Sequence, residues 1–425
     1  MKTPKERLQE YVPHRTSFLM NNIVRLVAWI SRGKEKPFYK YNFNKEEMKG
    51  RQVLVLADHA SRDNFYYCLS GYPFQRLNPV MGYQNFFNKT LFKGFLAFGA
   101  IPKMLYAPDF KCTRNILRMK NEGCSFLLFP EGIESSVGIS HPINPATFKL
   151  VKKCALDVVM VKSFGSYLAL PKFTSTYRHG KMTFEYTWLF TKEDVLNHSD
   201  EELYKIYLEK FKYNDFEYNE KEQNHYIGKE KNAAKLDSIL YYCPRCSSEF
   251  KLYIDDENIV CKECGNTIHI DDTYKLTANE NSILKYNRID KWFNAERDLV
   301  KKEISNPDFK LVVECDSYKL EDEKLKKNRY SKNGHGTLTL DQDSLNFKGV
   351  INSEDVDLHF DIKNLPSLSF LTDTNANQFY FDRNYYQFRY PNNPHLSTKM
   401  TLFVEELHNI KDEDGWGQMS KDVRN

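Results

Sequence analysis

Hydrophobic and polar positions divide the 425-residue chain into stretches of different period. Between residues 17 and 30, Leu19, Ile23, Leu26, Val27 and Ile30 recur at three- and four-residue spacings while Asn21, Asn22 and Arg25 fall elsewhere, which predicts an amphipathic helix. Its apolar face fits two settings, the core of its own domain or an anionic bilayer surface, where Arg32, Lys34, Lys36 and Lys40 would add attraction. From 51 to 190, short continuous apolar runs (52–57, 125–129, 156–164) alternate with helical stretches (110–122, 145–155), the pattern of buried parallel strands joined by crossover helices. From 336 to 391 the runs GTLTL, LNFKG, VDLHFDI, SLSFL, QFYFD and YYQFRY are separated by turn residues, as in an antiparallel sheet, and 396–410 reads as a closing helix.

The expected architecture is therefore an α/β domain at 51–190 behind an amphipathic N-terminal region at 1–50. A helical extension or connector follows at 191–240, then a small metal ribbon at 241–272 and a charged, helical connector at 273–335. A mostly-β, pleckstrin-homology-like domain at 336–425 ends the chain. A hydrophobic fraction of 41% excludes whole-chain disorder. No apolar run approaches the roughly 20 residues of a membrane span. The opening MKTPKERLQEYVPHR lacks the apolar core of a secretory signal, so a cytoplasmic setting with reduced thiols is expected.

The net charge of +4 hides an asymmetry: residues 1–190 carry 28 basic and 13 acidic side chains, and residues 191–425 carry 33 and 44. A basic first half suits an anionic lipid, a phosphorylated substrate or an acidic carrier protein. Cys243, Cys246, Cys261 and Cys264 form two Cys-x-x-Cys knuckles fourteen residues apart, four soft ligands for a tetrahedral zinc ion with no open position, hence a structural site. The acidic balance of this half argues against a nucleic-acid-binding ribbon. Phosphate-loop, His-Glu-x-x-His and Gly-x-Ser-x-Gly motifs are absent from the sequence.

Candidate chemistry gathers where strands end. The run 52–57 leads into DHASRDN, bringing His59, Asp63 and Asn64 to the end of a parallel strand, where ligand sites collect. On a helical turn His59 and Asp63 would share a face, the arrangement of a general base with its orienting carboxylate, although such pairs are common in proteins generally. The next run ends in FPEGIESSVG, delivering Glu131 to the same rim between Pro130 and Gly132, either to anchor a loop through backbone amides or to meet a substrate hydroxyl. The aromatic stretch 84–99 fits a core, a bilayer interface or an acyl groove.

Together these segments resemble the glycerolipid, or lysophosphatidic acid, acyltransferase family. DHASRDN is similar to its first block, His-x4-Asp; Phe129-Pro130-Glu131-Gly132 with Ser135 resembles its third. The Gly99, Ile101, Pro102 and Lys103 turn resembles the second, and VKSFGSYLALPKF, ending in Pro171, the fourth. The resemblance spans about residues 15–190. It implies an O-acyltransferase of phospholipid biosynthesis that moves a fatty acyl group from acyl-coenzyme A or acyl carrier protein to a lysophosphatidic acid or related lysophospholipid. His59 would be the general base, with Asp63 or Asn64 orienting it and Glu131 beside it; Arg62, Lys103, Gly132 and Ser135 would face substrate. The enzyme would sit peripherally on the inner face of an anionic membrane. Arg62, Lys162 and Lys172 join Lys103 as candidate phosphate contacts.

Two positions depart from the pattern: Asn64 stands where the family has its Asp, and Glu134 where it has Arg. An Asn can orient an imidazole but cannot offset the charge of an imidazolium. These departures keep open a non-catalytic lipid- or protein-binding module on the same scaffold, and an acyltransferase with a non-phospholipid acceptor.

Overall fold

The computed structural model of the chain describes residues 4–31, 37–87, 92–106, 109–320, 330–382, 384–393 and 395–411. Its first unit is a seven-stranded sheet. In chain order the strands are β1 Phe38–Tyr41, β2 Val53–Ala57, β3 Leu77–Gly82, β4 Ile101–Lys103, β5 Ser125–Leu128, β6 Asp157–Phe164 and, after the two-residue β7 Arg178–His179, β8 Thr183–Phe190. The spatial order is β1-β8-β6-β2-β5-β3-β4, parallel from β6 to β4, with β8 antiparallel to β6. Every residue of β2 and β5 is buried, which is why both read as unbroken apolar runs. β3 has no such signature, because Pro79 interrupts it; its identity is set by its place beside β5.

The N-terminal helix, Phe18–Ser31, forms where its periodicity predicts, but it is turned the opposite way from a core-packing helix. Leu19, Leu26 and Ile30 are exposed at 69%, 54% and 63%, whereas Asn21 is buried and Arg25 donates to the Tyr72 carbonyl at 2.8 Å. The reading in which the apolar face packs on the domain's own core is thereby overturned. Of the basic residues after this helix, Arg32, Lys34 and Lys36 lie outside the described residues, and Lys40 pairs with Glu185. In the aromatic stretch 84–99, Phe86, Phe87 and Phe92 are buried in a small second core with Leu8 and Leu320, so these rings are neither interfacial nor a groove lining; Leu91 lies outside the described residues.

Helices Lys192–Asn197, Asp200–Phe211 and Asp215–Glu222 pack against the first unit and lead, through β9 Ile227–Gly228, to a four-stranded antiparallel ribbon, β10 Leu252–Asp255, β11 Asn258–Cys261, β12 Thr267–Ile270 and β13 Leu276–Ala278. Helix Ile289–Ile304 follows. The last sheet is antiparallel, in the order β17-β16-β15-β14-β20-β19-β18: β14 Lys310–Leu320, β15 Tyr330–Asp341, β16 Ser344–Ile351, β17 Glu354–Asp361, β18 Ser369–Leu371, β19 Ala376–Phe381 and β20 Asn384–Arg389. It begins at Lys310, inside the stretch expected as a helical connector. Helix Leu396–Lys411 closes it, buried from Leu396 to His408. Arg297, itself buried, bridges the two long helices through Glu405 at 2.8 Å and Glu406 at 2.6 Å.

Candidate active site and metal centre

β2 and β5 are neighbours in parallel register, Leu54 beside Phe126 and Leu56 beside Leu128, so the loops after them emerge side by side. His59 and Glu131 meet there, as expected from the two strand ends. The contact runs through the backbone: Glu131, fully buried, accepts from the His59 amide at 2.6 Å, from the His141 amide at 2.5 Å and from the Tyr213 hydroxyl at 3.2 Å. Of the two roles open to Glu131, loop anchor or substrate contact, the geometry is that of the anchor. Burial lifts its carboxyl to about 7, against the pull of the two amides and the tyrosine. The Ser135 amide returns to the His59 carbonyl at 2.8 Å, while the Ser135 hydroxyl serves its own turn, donating to Ile139 at 2.7 Å, not a substrate. Gly132 takes φ +77°, and a Cβ there would stand 2.8 Å from Leu105.

The His59 ring is half-buried against Phe129, centroids 4.7 Å apart, with Nδ1 enclosed and unpartnered among the described residues. Burial lowers its pKa to about 4, the Ser61 backbone opposing and the Lys172 ammonium adding to the fall. The imidazole is thus neutral at pH 7 and able to accept a proton, though weakly basic.

Neither candidate orienting residue reaches it. Asn64 is fully buried in another network: it donates to Asp58 Oδ1 at 2.8 Å and Ser163 Oγ at 2.9 Å, and accepts from the Ser166 hydroxyl. Asp58 also accepts from the Ser163 amide at 2.6 Å, so this cluster ties the end of β2 to the end of β6. Asp63 opens helix Asn64–Gly71 and makes no hydrogen bond to His59; burial raises its carboxyl and Arg62 opposes. The shared face expected for His59 and Asp63 requires a helical turn, and His59 lies on irregular chain before the helix starts.

The candidate cations divide. Arg62 lies 3.6 Å from Glu134, and its guanidinium donates to the Pro171 and Thr174 carbonyls at 3.1 and 2.6 Å. Glu134, which stands where the family pattern has Arg, is the partner of Arg62. Lys103 turns to its own loop, donating to the Met104 carbonyl at 2.6 Å, and Lys162 reaches toward the Lys212 carbonyl. Lys172 donates to the Glu134 carbonyl at 3.3 Å, and its ammonium lies 4.0 Å from the Phe370 ring centre. Asp58, Ser163, Tyr213 and Phe370 were not singled out by sequence reasoning. Only Asp58, adjoining His59 at a strand end, offered a signal. A cavity of about 400 Å³ lined by Arg51, Lys120, Asp157 and Lys192 opens at the opposite end of the strands and holds none of these groups.

Cys243, Cys246, Cys261 and Cys264 converge, all Sγ atoms within 4.8 Å of one another. Sγ separations of 3.7 Å (Cys243–Cys264) and 3.8 Å (Cys246–Cys261) equal the edge, about 3.8 Å, of a tetrahedron with 2.3 Å metal–sulfur bonds. The two knuckles share one turn: the Ser247 amide donates to Cys243 and Gly265's to Cys261, each with positive φ, a strain only the glycine escapes. The four thiols fit a single metal ion.

No family model matches the chain, and no curated protein matches it. Among solved structures, the 1-acyl-sn-glycerophosphate (LPA) acyltransferase PlsC from Thermotoga maritima is similar at a TM-score of 0.38 and 16% identity, over 44% of this chain and 74% of that one.

Proposed function

We propose that the protein is an O-acyltransferase in which His59 removes the proton of an acceptor hydroxyl as that oxygen attacks the thioester carbonyl of acyl-coenzyme A or acyl carrier protein. The C–S bond breaks, the acyl group passes to the acceptor oxygen, and His59 returns the proton to the departing thiolate. The acceptor proposed is a lysophosphatidic acid or related lysophospholipid. The observation that carries the reading is the 2.6 Å bond from the His59 amide to Glu131, which locks together two motifs 72 residues apart at the rim of a parallel sheet. The outward apolar face of Phe18–Ser31 supports action at an anionic membrane surface, at its cytoplasmic side; no helix among the described residues is long and apolar enough to cross a membrane. Zinc is the ion proposed for the four thiols, as a structural centre: with every position filled by protein it activates no water.

A second reading, a lipid-binding module without turnover, draws on the unpartnered Nδ1 of His59 and on Asn64 being committed to Asp58. Assays with both donors and a panel of lysolipids separate the two. Loss of turnover in a folded His59→Ala chain supports the enzyme; equal turnover with and without His59, or none in the wild type, removes it.

A further inference from the structure

The last sheet meets the first unit at the candidate site. Phe370 of β18, buried, lays its ring on the Lys172 ammonium, and two residues on the Thr372 hydroxyl donates to the Lys172 carbonyl at 3.4 Å. Beside this contact, Leu105 and Tyr106 face Leu365, Ser369 and Phe379 across a cavity of about 10 Å³, room for one water. Tyr106 donates to the Glu131 carbonyl at 3.2 Å, so this seam borders the loop that holds His59.

Among the candidate cations, Arg62 is satisfied by a carboxylate and carbonyls, and Lys103 by its own loop. Lys172 differs. Its hydrogen-bond acceptor is a neutral carbonyl, and the remaining face of the ammonium is covered by an aromatic ring. A ring face attracts a cation far less strongly than a phosphate does. An ammonium so covered, beside a candidate general base, is a site where an anion would displace the ring.

We propose that Lys172 binds the phosphate of the acceptor and that Phe370 occupies this place in the closed arrangement, making the last sheet an internal competitor for the acceptor headgroup. This rests on the acyltransferase reading and its anionic acceptor, and adds to it an internal competitor for the acceptor's phosphate. Burial lowers the Lys172 ammonium to about 8, while the Glu134 and Glu405 carboxylates oppose the fall.

The test is binding to the full, metal-replete chain, by titration of short-chain lysophosphatidic acid, the matching monoacylglycerol and inorganic phosphate. Phe370→Ala should tighten lysophosphatidic acid roughly tenfold, the size of one desolvated cation–π contact, and leave monoacylglycerol unchanged. Phe370→Leu, which keeps the volume and loses the ring face, should give part of that gain. Adding Lys172→Met should abolish it, whereas Lys172→Arg should retain it. An equal gain for both lipids, no gain in either Phe370 variant, or a gain that survives Lys172→Met overturns the proposal. Competition by inorganic phosphate at the concentration of the lipid overturns the headgroup assignment in favour of free phosphate. Binding requires no turnover. A gain in a chain that transfers no acyl group would retain Lys172 and sink the enzyme reading, and turnover without the gain would do the reverse.

Discussion

At the residue scale, two titratable groups at the site, half-buried His59 and fully buried Glu131, have opposite consequences for stability. His59 is held near pKa 4 against about 6.5 in the unfolded chain, so between those values the unfolded state binds the extra proton and stability falls as pH drops. Glu131 is held near 7 against about 4.5, so the folded state keeps its proton longer and stability falls as pH rises through that window. His59→Gln should therefore flatten the loss of stability between pH 6.5 and 4, read as urea midpoints across pH; an unchanged acid limb would refute the burial of a neutral imidazole. That His59 and Glu131 share a rim was legible, because each follows an apolar strand. That Glu131 takes the His59 amide was not, since a backbone partner leaves no trace in sequence.

At the element scale, the helix Phe18–Ser31 shows what periodicity specifies and what it leaves open. The 3.6-residue repeat puts five apolar side chains on one stripe. The inward side carries buried Asn21, Arg25, whose guanidinium donates to the Tyr72 carbonyl, and Met20 and Val24, which pack on the core, so the stripe faces outward. Replacing Leu26 and Ile30 together by Asp should leave the melting temperature within a few degrees and release the chain from anionic vesicles in co-sedimentation, whereas Arg25→Ala should lower stability by about 1 kcal/mol. Vesicle binding that survives the double replacement would dismiss the membrane face. The ribbon is the opposite case: knuckle spacing alone announced four converging thiols. Cys246→Ser or chelation should remove one equivalent of metal per chain and lower the melting temperature; wild-type stability with no metal bound would rule out a structural centre.

At the scale of the whole molecule, the ribbon and the last sheet are joined by charge as well as packing. Lys399 of the closing helix is buried between Glu249 of the ribbon, at 2.6 Å, and Glu303, at 2.9 Å, and Glu296 accepts the Tyr241 and Tyr242 amides ahead of the first knuckle. Arg297 adds a separate buried link, from helix Ile289–Ile304 to Glu405 and Glu406 of the closing helix. Arg297→Met strands the Glu405 and Glu406 carboxylates in the interior and should cost on the order of 3–5 kcal/mol in urea unfolding, while replacing all three by apolar residues of similar size should restore most of it. A loss below about 1 kcal/mol for the single change would show that these charges are solvated. The expectation of a charged connector at 273–335 missed β14, whose alternation of Val, Glu, Cys, Asp and Tyr resembles a solvated helix as much as a half-buried strand.

The sequence by itself determined what local period and spacing can carry: continuous apolar strands, an amphipathic N-terminal helix, alternating strands under a closing helix, and two metal-binding knuckles. It also placed His59 and Glu131 at strand ends. The tertiary structure alone decided which groups face one another across the chain. It sent Asn64 to Asp58 instead of His59, paired Glu134 with Arg62, turned the helix stripe outward, and laid Phe370 on Lys172 across some two hundred residues. The reason is that period is a property of neighbouring residues, whereas a buried polar group must find its partner wherever the packed chain supplies one.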